Sequence, residues 1–246
     1  MAPAIGLLVG ALDRAGIDLA GLGLAWARVT PSVTLVPALG LRALPGPARA
    51  LMGLAMAAAV LPATGPLHAG EGAGREPWPV LALVELARGL PVAVAAAVPL
   101  WAATMAGGLA DTLRGSSESL PAPTVEGRTT PLGALLSLLA CAMFLAGGGP
   151  ARTALALALH PVGPDPVRAA AADLVGGIEL AVALGAPLLA AAVVIEIGAA
   201  LVARAASPAQ VHGILAPARS LAMLAVAGLV LDRLAAPLAR AVGAVP

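Results

Sequence analysis

Apolar residues in this chain run in long blocks separated by short segments rich in Pro, Gly and charge. An apolar stretch of about 20 residues is enough to cross a bilayer as a helix. Five blocks reach that length: 19–41 around Arg28, 79–110, 131–159, 174–203 and 221–242. Residues 51–61 make a shorter block, expected as one arm of a hairpin. Residues 7–24, interrupted by Asp13, Arg14 and Asp18, predict an interfacial or tilted N-terminal helix. A segment in lipid must satisfy its backbone hydrogen bonds internally, so these blocks predict helices. The expectation is an all-α, polytopic integral membrane protein of helical hairpins. It has about six long helices plus an N-terminal helix, in a single membrane domain over 1–246. Several blocks exceed what a bilayer needs, so they must tilt, break or leave its plane.

The breaks between blocks carry turn chemistry. Residues 42–49 hold Pro45 and Pro47 and read as a tight turn that stops one helix and starts the next. Residues 62–79 and 116–130 read as exposed loops, the second richer in hydroxyls. Pro161 to Pro166 is a proline break before an amphipathic start at 167–173, and Ser207-Pro208 marks a turn between the last two helices. Arg42 with Arg49, and Arg204 with Arg219, are the loop regions with an excess of basic residues, which is too little to fix the orientation in the membrane.

Composition agrees with the pattern. The hydrophobic fraction is 60% and the charged fraction 11%, against roughly 45–50% and 25% in soluble domains; mean hydropathy is +0.96. A formal net charge of +1 argues against nucleic acid as a partner. All the basic residues are Arg, there is no Tyr and only one Phe, so Trp26, Trp78 and Trp101 are left to mark the membrane interfaces. Cys141 is alone, which excludes a disulfide framework and a thiolate cluster, and it is expected as a small buried hydrophobe. The start of the chain lacks the basic region of a cleavable signal, so the N-terminal helix is expected to stay attached.

Charges inside apolar blocks are costly and tend to be kept for a reason. Glu85 and Arg88, three apart, can meet on one helix face, as can Asp111 and Arg114 at the end of their block. Glu196 and Arg204, eight apart, roughly share a face. Arg28 and Glu179 have no obvious local partner. Two readings stay open: these groups line a conduit or ion path, or they pair with each other or with neighbouring subunits and fix packing. Gly107, Gly108, Gly176, Gly177 and Gly185 read as close helix-packing positions. The three His are scattered without metal-ligand spacing, so no metal site is expected.

Enzyme signatures are missing. Gly147-Gly148-Gly149 is no phosphate loop, since neither a strand nor a Lys-Ser/Thr accompanies it. Gly115-Ser116-Ser117-Glu118 lacks the second Gly of a nucleophile elbow. No catalytic residue and no cofactor is expected.

Several short patterns, in order, resemble the T subunit family of the type III secretion export apparatus, the SctT/FliR family. The block from Trp26-Ala27-Arg28-Val29 through Pro37, Gly40, Pro45, Arg49 and Pro62 is similar to the family's first hairpin. Glu85 to Gly89 resembles the start of its third helix. The run Gly107, Asp111, Arg114, Gly115, Ser117, and then Thr130-Pro131-Leu132-Gly133, is closer to injectisome than to flagellar members. Pro187, Glu196, Arg204, Pro217, Arg219 and Ser220 fall where the family has Pro, Glu, Arg and Pro-x-Lys-Ser. The chain departs from the family at Ser207–Gln210 and at Leu159–Pro164.

The resemblance implies a non-enzymatic part of the bacterial inner-membrane export gate. Such a subunit assembles with R and S subunits, one copy per complex, with a U-type switch subunit nearby, lipid around it and secreted proteins passing through. It implies an R-like front over 1–160 and an S-like helical hairpin over 174–242. The subunit-interface or conduit candidates are then Arg28, Glu85, Arg88, Asp111, Arg114, Glu196, Arg204, Pro217 and Arg219. A different class of function, a small proton-coupled secondary transporter using Glu85, Glu179 and Glu196, is the alternative.

Overall fold

A computed structural model describes residues 19–40, 45–64, 77–116, 118–122, 124, 127–159, 165–205 and 212–243. The described chain is almost wholly helical: α1 (Leu19–Leu35), α2 (Pro37–Gly40), α3 (Gly46–Thr64), α4 (Trp78–Leu113), α5 (Pro131–Ala146), α6 (Gly149–Leu159), α7 (Pro166–Ala205) and α8 (His212–Gly243). Between α4 and α5 lies a two-residue antiparallel pair, β1 (Leu120–Pro121) with β2 (Arg128–Thr129). The expected all-α membrane architecture holds. The expected N-terminal helix falls mostly outside the described residues, as do most of the 62–79 loop and the Ser207–Gln210 turn.

Block boundaries shift in three places. The first block breaks at Val36, because Pro37 offers no N–H to continue α1. The 131–159 block is two helices bent by 65°. Gly148 at that break has φ +74°, and a Cβ on Gly149 would fall within 2.5 Å of the Phe144 ring, so this run of glycines lets the chain fold around the one Phe. Residues 167–173 form the first turns of α7, the start expected after the proline break. The last helix starts at His212, well before the 221–242 block, so Pro217 lies more than a turn inside α8.

Among the described residues two helices, α4 and α7, are long and apolar enough to cross a membrane, and the bent α5–α6 pair makes a third if it counts as one span. At 36 and 40 residues, α4 and α7 run to about 54 and 60 Å, well beyond the roughly 30 Å hydrocarbon core.

Helix α4 is the organiser, packing against α1, α5 and α7. It does so through small residues, which let backbones approach where large side chains would hold them apart. A side chain on Gly89 would collide with the Arg28 carbonyl of α1, and one on Gly107 with the Leu132 carbonyl of α5. Gly177 and Gly185 of α7 seat Val98 and Leu109 of α4, with virtual Cβ contacts of 2.7 Å each. Gly108 has only an ordinary contact and Gly176 faces open space, so those two are not packing positions. Leu100, Phe144 and Val36 centre one core cluster, while Val29, Val60, Val92 and Leu157 form a second. Ala102, Ala106, Ala110, Leu184 and Leu188 join α4 to α7 in a third. The outward side of α7 stays apolar and bare, with Ile178, Val182, Val194 and Ile197 all exposed.

Candidate subunit-interface and conduit residues

The first cluster sits where Gly89 brings α4 against α1. Arg28 donates from Nε to Glu85 Oε2 at 2.6 Å, and Arg88 donates from Nη1 to Oε1 of the same carboxylate at 2.7 Å. Arg28 also donates from Nη1 to the Leu157 carbonyl at 3.1 Å, near the C-terminus of α6, where helix carbonyls lack intrahelical partners. The Glu85 side chain is 6% exposed and that of Arg28 is 11% exposed. One carboxylate therefore holds two guanidiniums, and the cluster ties α1, α4 and α6 together. The local Glu85–Arg88 pair is present as the spacing predicts. Arg28, which had no partner nearby in sequence, finds Glu85 across the helix interface.

The second cluster ends α4. Asp111 is fully buried and uses both oxygens. Oδ1 accepts from Arg114 Nε at 2.6 Å and Oδ2 accepts from the Leu132 backbone N–H at 2.7 Å. The Thr130 hydroxyl accepts from Gly133 N at 3.3 Å. Two of the orphan donors at the start of α5 are thereby satisfied, one by its own N-cap and one by the preceding helix. Gly115, at φ +77°, supplies the left-handed residue that closes α4. The loop beyond folds back: Thr124 and Ser137 hydroxyls share a buried hydrogen bond of 2.7 Å, and Arg128 Nε donates to Ser119 Oγ at 2.8 Å.

The third cluster bridges the two arms of the final hairpin. Glu196 of α7 pairs with Arg219 of α8, not with Arg204. Arg204 is exposed and has no partner among the described residues, and Pro217 is exposed one half-turn before Arg219. Glu179 is exposed and likewise unpartnered among the described residues. Beside the Glu196–Arg219 pair lies an open cleft of about 670 Å³, whose other wall is the end of α4 from Thr112 to Ser116. Farther along, Arg152 of α6 donates to the Gly243 and Val242 carbonyls at 2.6 and 3.1 Å, capping the C-terminus of α8.

Residues 19–245 match the family described as bacterial export proteins, family 1. The chain belongs to this family. A 73-residue stretch is also 40% identical to the secretion system apparatus protein SsaT of Salmonella typhimurium, covering 29% of this chain and 28% of that protein. For a member of the bacterial export family, the polar clusters fall into two kinds. Those of Glu85 and Asp111 each centre on a buried carboxylate with both oxygens bonded inside the chain, which makes them internal ties. The Glu196–Arg219 pair lies on the open side of the hairpin.

Reading the sequence did not single out Arg152, Thr124 or Ser137. Arg152 follows the glycine run by three residues, so its place on the first turn after the bend was visible, but its target lies ninety residues away. Among the described residues no group of three or more His, Cys, Asp and Glu converges.

Proposed function

We propose that this chain is a structural, non-enzymatic subunit of a type III protein secretion export apparatus in the bacterial inner membrane. The observation that carries the reading is the family match across 19–245. The partial likeness to a secretion apparatus protein supports the same reading. In it, residues 1–160 act as an R-like front and 174–242 as an S-like hairpin, and one copy joins R and S subunits, with a U-type switch subunit nearby, to build the mouth of the conduit. Helices much longer than the bilayer, a bent pair in place of a straight span, and a bare apolar α7 all suit a subunit that is covered by neighbours.

The transporter alternative gains no support. Glu85 is held by two arginines and Glu196 by Arg219, so both carboxylates are engaged in ion pairs within the chain. Deleting the gene in its own host and assaying secreted proteins in the medium tests the proposal. Loss of secretion, restored by the wild-type chain, is expected; unchanged secretion from a strain known to secrete would overturn it.

A further inference from the structure

The cleft at the end of α4 and a smaller cavity beside it have complementary linings. The cleft walls carry Arg114, Arg219, Glu118, Glu196 and the hydroxyls of Ser116 and Ser220. Arg114 is mostly buried, at 16% side-chain exposure, and spends only Nε on Asp111. Its terminal nitrogens have no partner among the described residues, although a guanidinium offers five N–H donors. The Glu118 carboxylate is unpartnered among the described residues too. The second cavity, about 170 Å³, is lined entirely by aliphatic residues and glycine, among them Leu132, Leu136, Leu188, Leu224 and Gly228. Both cavities are walled by α4, α7 and α8. From Arg219 to Leu224 is about 7.5 Å along α8, and from Glu196 to Leu188 about 12 Å along α7. A charge-balanced polar site thus stands one to two turns from an aliphatic one.

The geometry points to a bound phospholipid with a zwitterionic, primary-ammonium headgroup as the occupant of these two cavities together. Its phosphate accepts from Arg114 and Arg219, and its ammonium donates to Glu118 and Glu196. One acyl chain fills the aliphatic cavity. Two arginines facing two carboxylates match a zwitterion; an anionic headgroup would leave a carboxylate without a cation, and a quaternary ammonium has no N–H to give. A lipid, not a soluble zwitterion, fits because Val193 and Ile197, close to Glu196 along α7, and Leu221, next to Ser220 on α8, leave apolar side chains exposed. The proposal rests on the membrane placement but not on the secretion role.

The test uses the full chain, purified in mild detergent, delipidated, and titrated with phosphatidylethanolamine, phosphatidylcholine and phosphatidylglycerol of identical acyl chains. Native mass spectrometry reads the adducts. One phosphatidylethanolamine per chain is expected, bound about tenfold tighter than the other two, the scale of one charge-assisted contact. Gly228→Leu, whose new side chain enters open space, and Arg114→Gln should each weaken it about tenfold. If Arg114→Gln fails to fold, Arg219→Gln removes the other phosphate ligand without touching Asp111. Leu155→Ala, on the exposed face of α6, should change nothing. Equal binding of the three lipids, preference for phosphatidylglycerol, or phosphatidylethanolamine binding untouched by Gly228→Leu would overturn the proposal, and would leave the secretion assay to decide the function on its own.

Discussion

Asp111 Oδ2 accepts the Leu132 amide at 2.7 Å, so the last turn of α4 caps the first turn of α5 across a separation of 21 residues. The other oxygen holds Arg114. Asp111→Ala would strand a buried amide and a mostly buried guanidinium, a loss of about 1–3 kcal/mol for the unsatisfied donor alone. Asp111→Asn should also destabilise, because its amide nitrogen faces one donor or the other. Thermal unfolding in detergent checks both; an unchanged midpoint for Asp111→Ala would show that this cap contributes nothing.

Glycines on the long helices should separate cleanly by what faces them. Gly89→Ala drives a methyl onto the Arg28 carbonyl, which must push α1 from α4 and loosen the Arg28–Glu85 pair. Gly176→Ala meets open space and should be neutral or stabilising by about 0.5–1 kcal/mol, the usual helix preference for Ala over Gly. Parallel melts of the two variants compare them directly. Similar behaviour of both would mean that α1 and α4 do not approach as described.

Glu85 is the keystone of its cluster. Removing it as Glu85→Leu leaves Arg28 buried and unpaired, a loss of about 3–5 kcal/mol, whereas the double change Arg28→Leu with Glu85→Leu should recover much of that. A double-mutant cycle measures the coupling. Additive losses would show that the two side chains act separately.

Much of this was legible beforehand, and the limits have a physical cause. Long apolar blocks announce spanning helices because lipid leaves the backbone no other partner, and local pairs such as Glu85–Arg88 follow from helical spacing. Tertiary partners do not. Arg28 and Glu85 are 57 residues apart, and Arg152 reaches carbonyls of the last helix, which carry no side-chain signature at all. Glu196 looked like a partner for Arg204 on its own helix, but it pairs with Arg219 of α8 instead. The bend at Gly148 was hidden because a glycine run does not by itself announce a bend, and it takes the Phe144 ring against Gly149 to show why the run is there.

The Glu196–Arg219 pair is about half exposed, at 53% and 41%. Such a pair is worth about 0–1 kcal/mol within one chain, so Glu196→Leu should leave membrane insertion and the isolated chain's melting unchanged while weakening subunit assembly. Cross-linking from Glu196→Cys, in a Cys141→Ala background, should capture a neighbouring subunit. Capture of lipid alone, or of a secreted protein alone, would remove the hairpin from the assembly surface.

The central claim, that this chain is one structural piece of an export gate, is tested most directly by its copy number. Co-expression with R- and S-type subunits from the same host, followed by native mass spectrometry of the purified complex, should yield a defined assembly containing one copy of this chain. A chain that stays outside that assembly, or that forms a homo-oligomer by itself, would contradict the account.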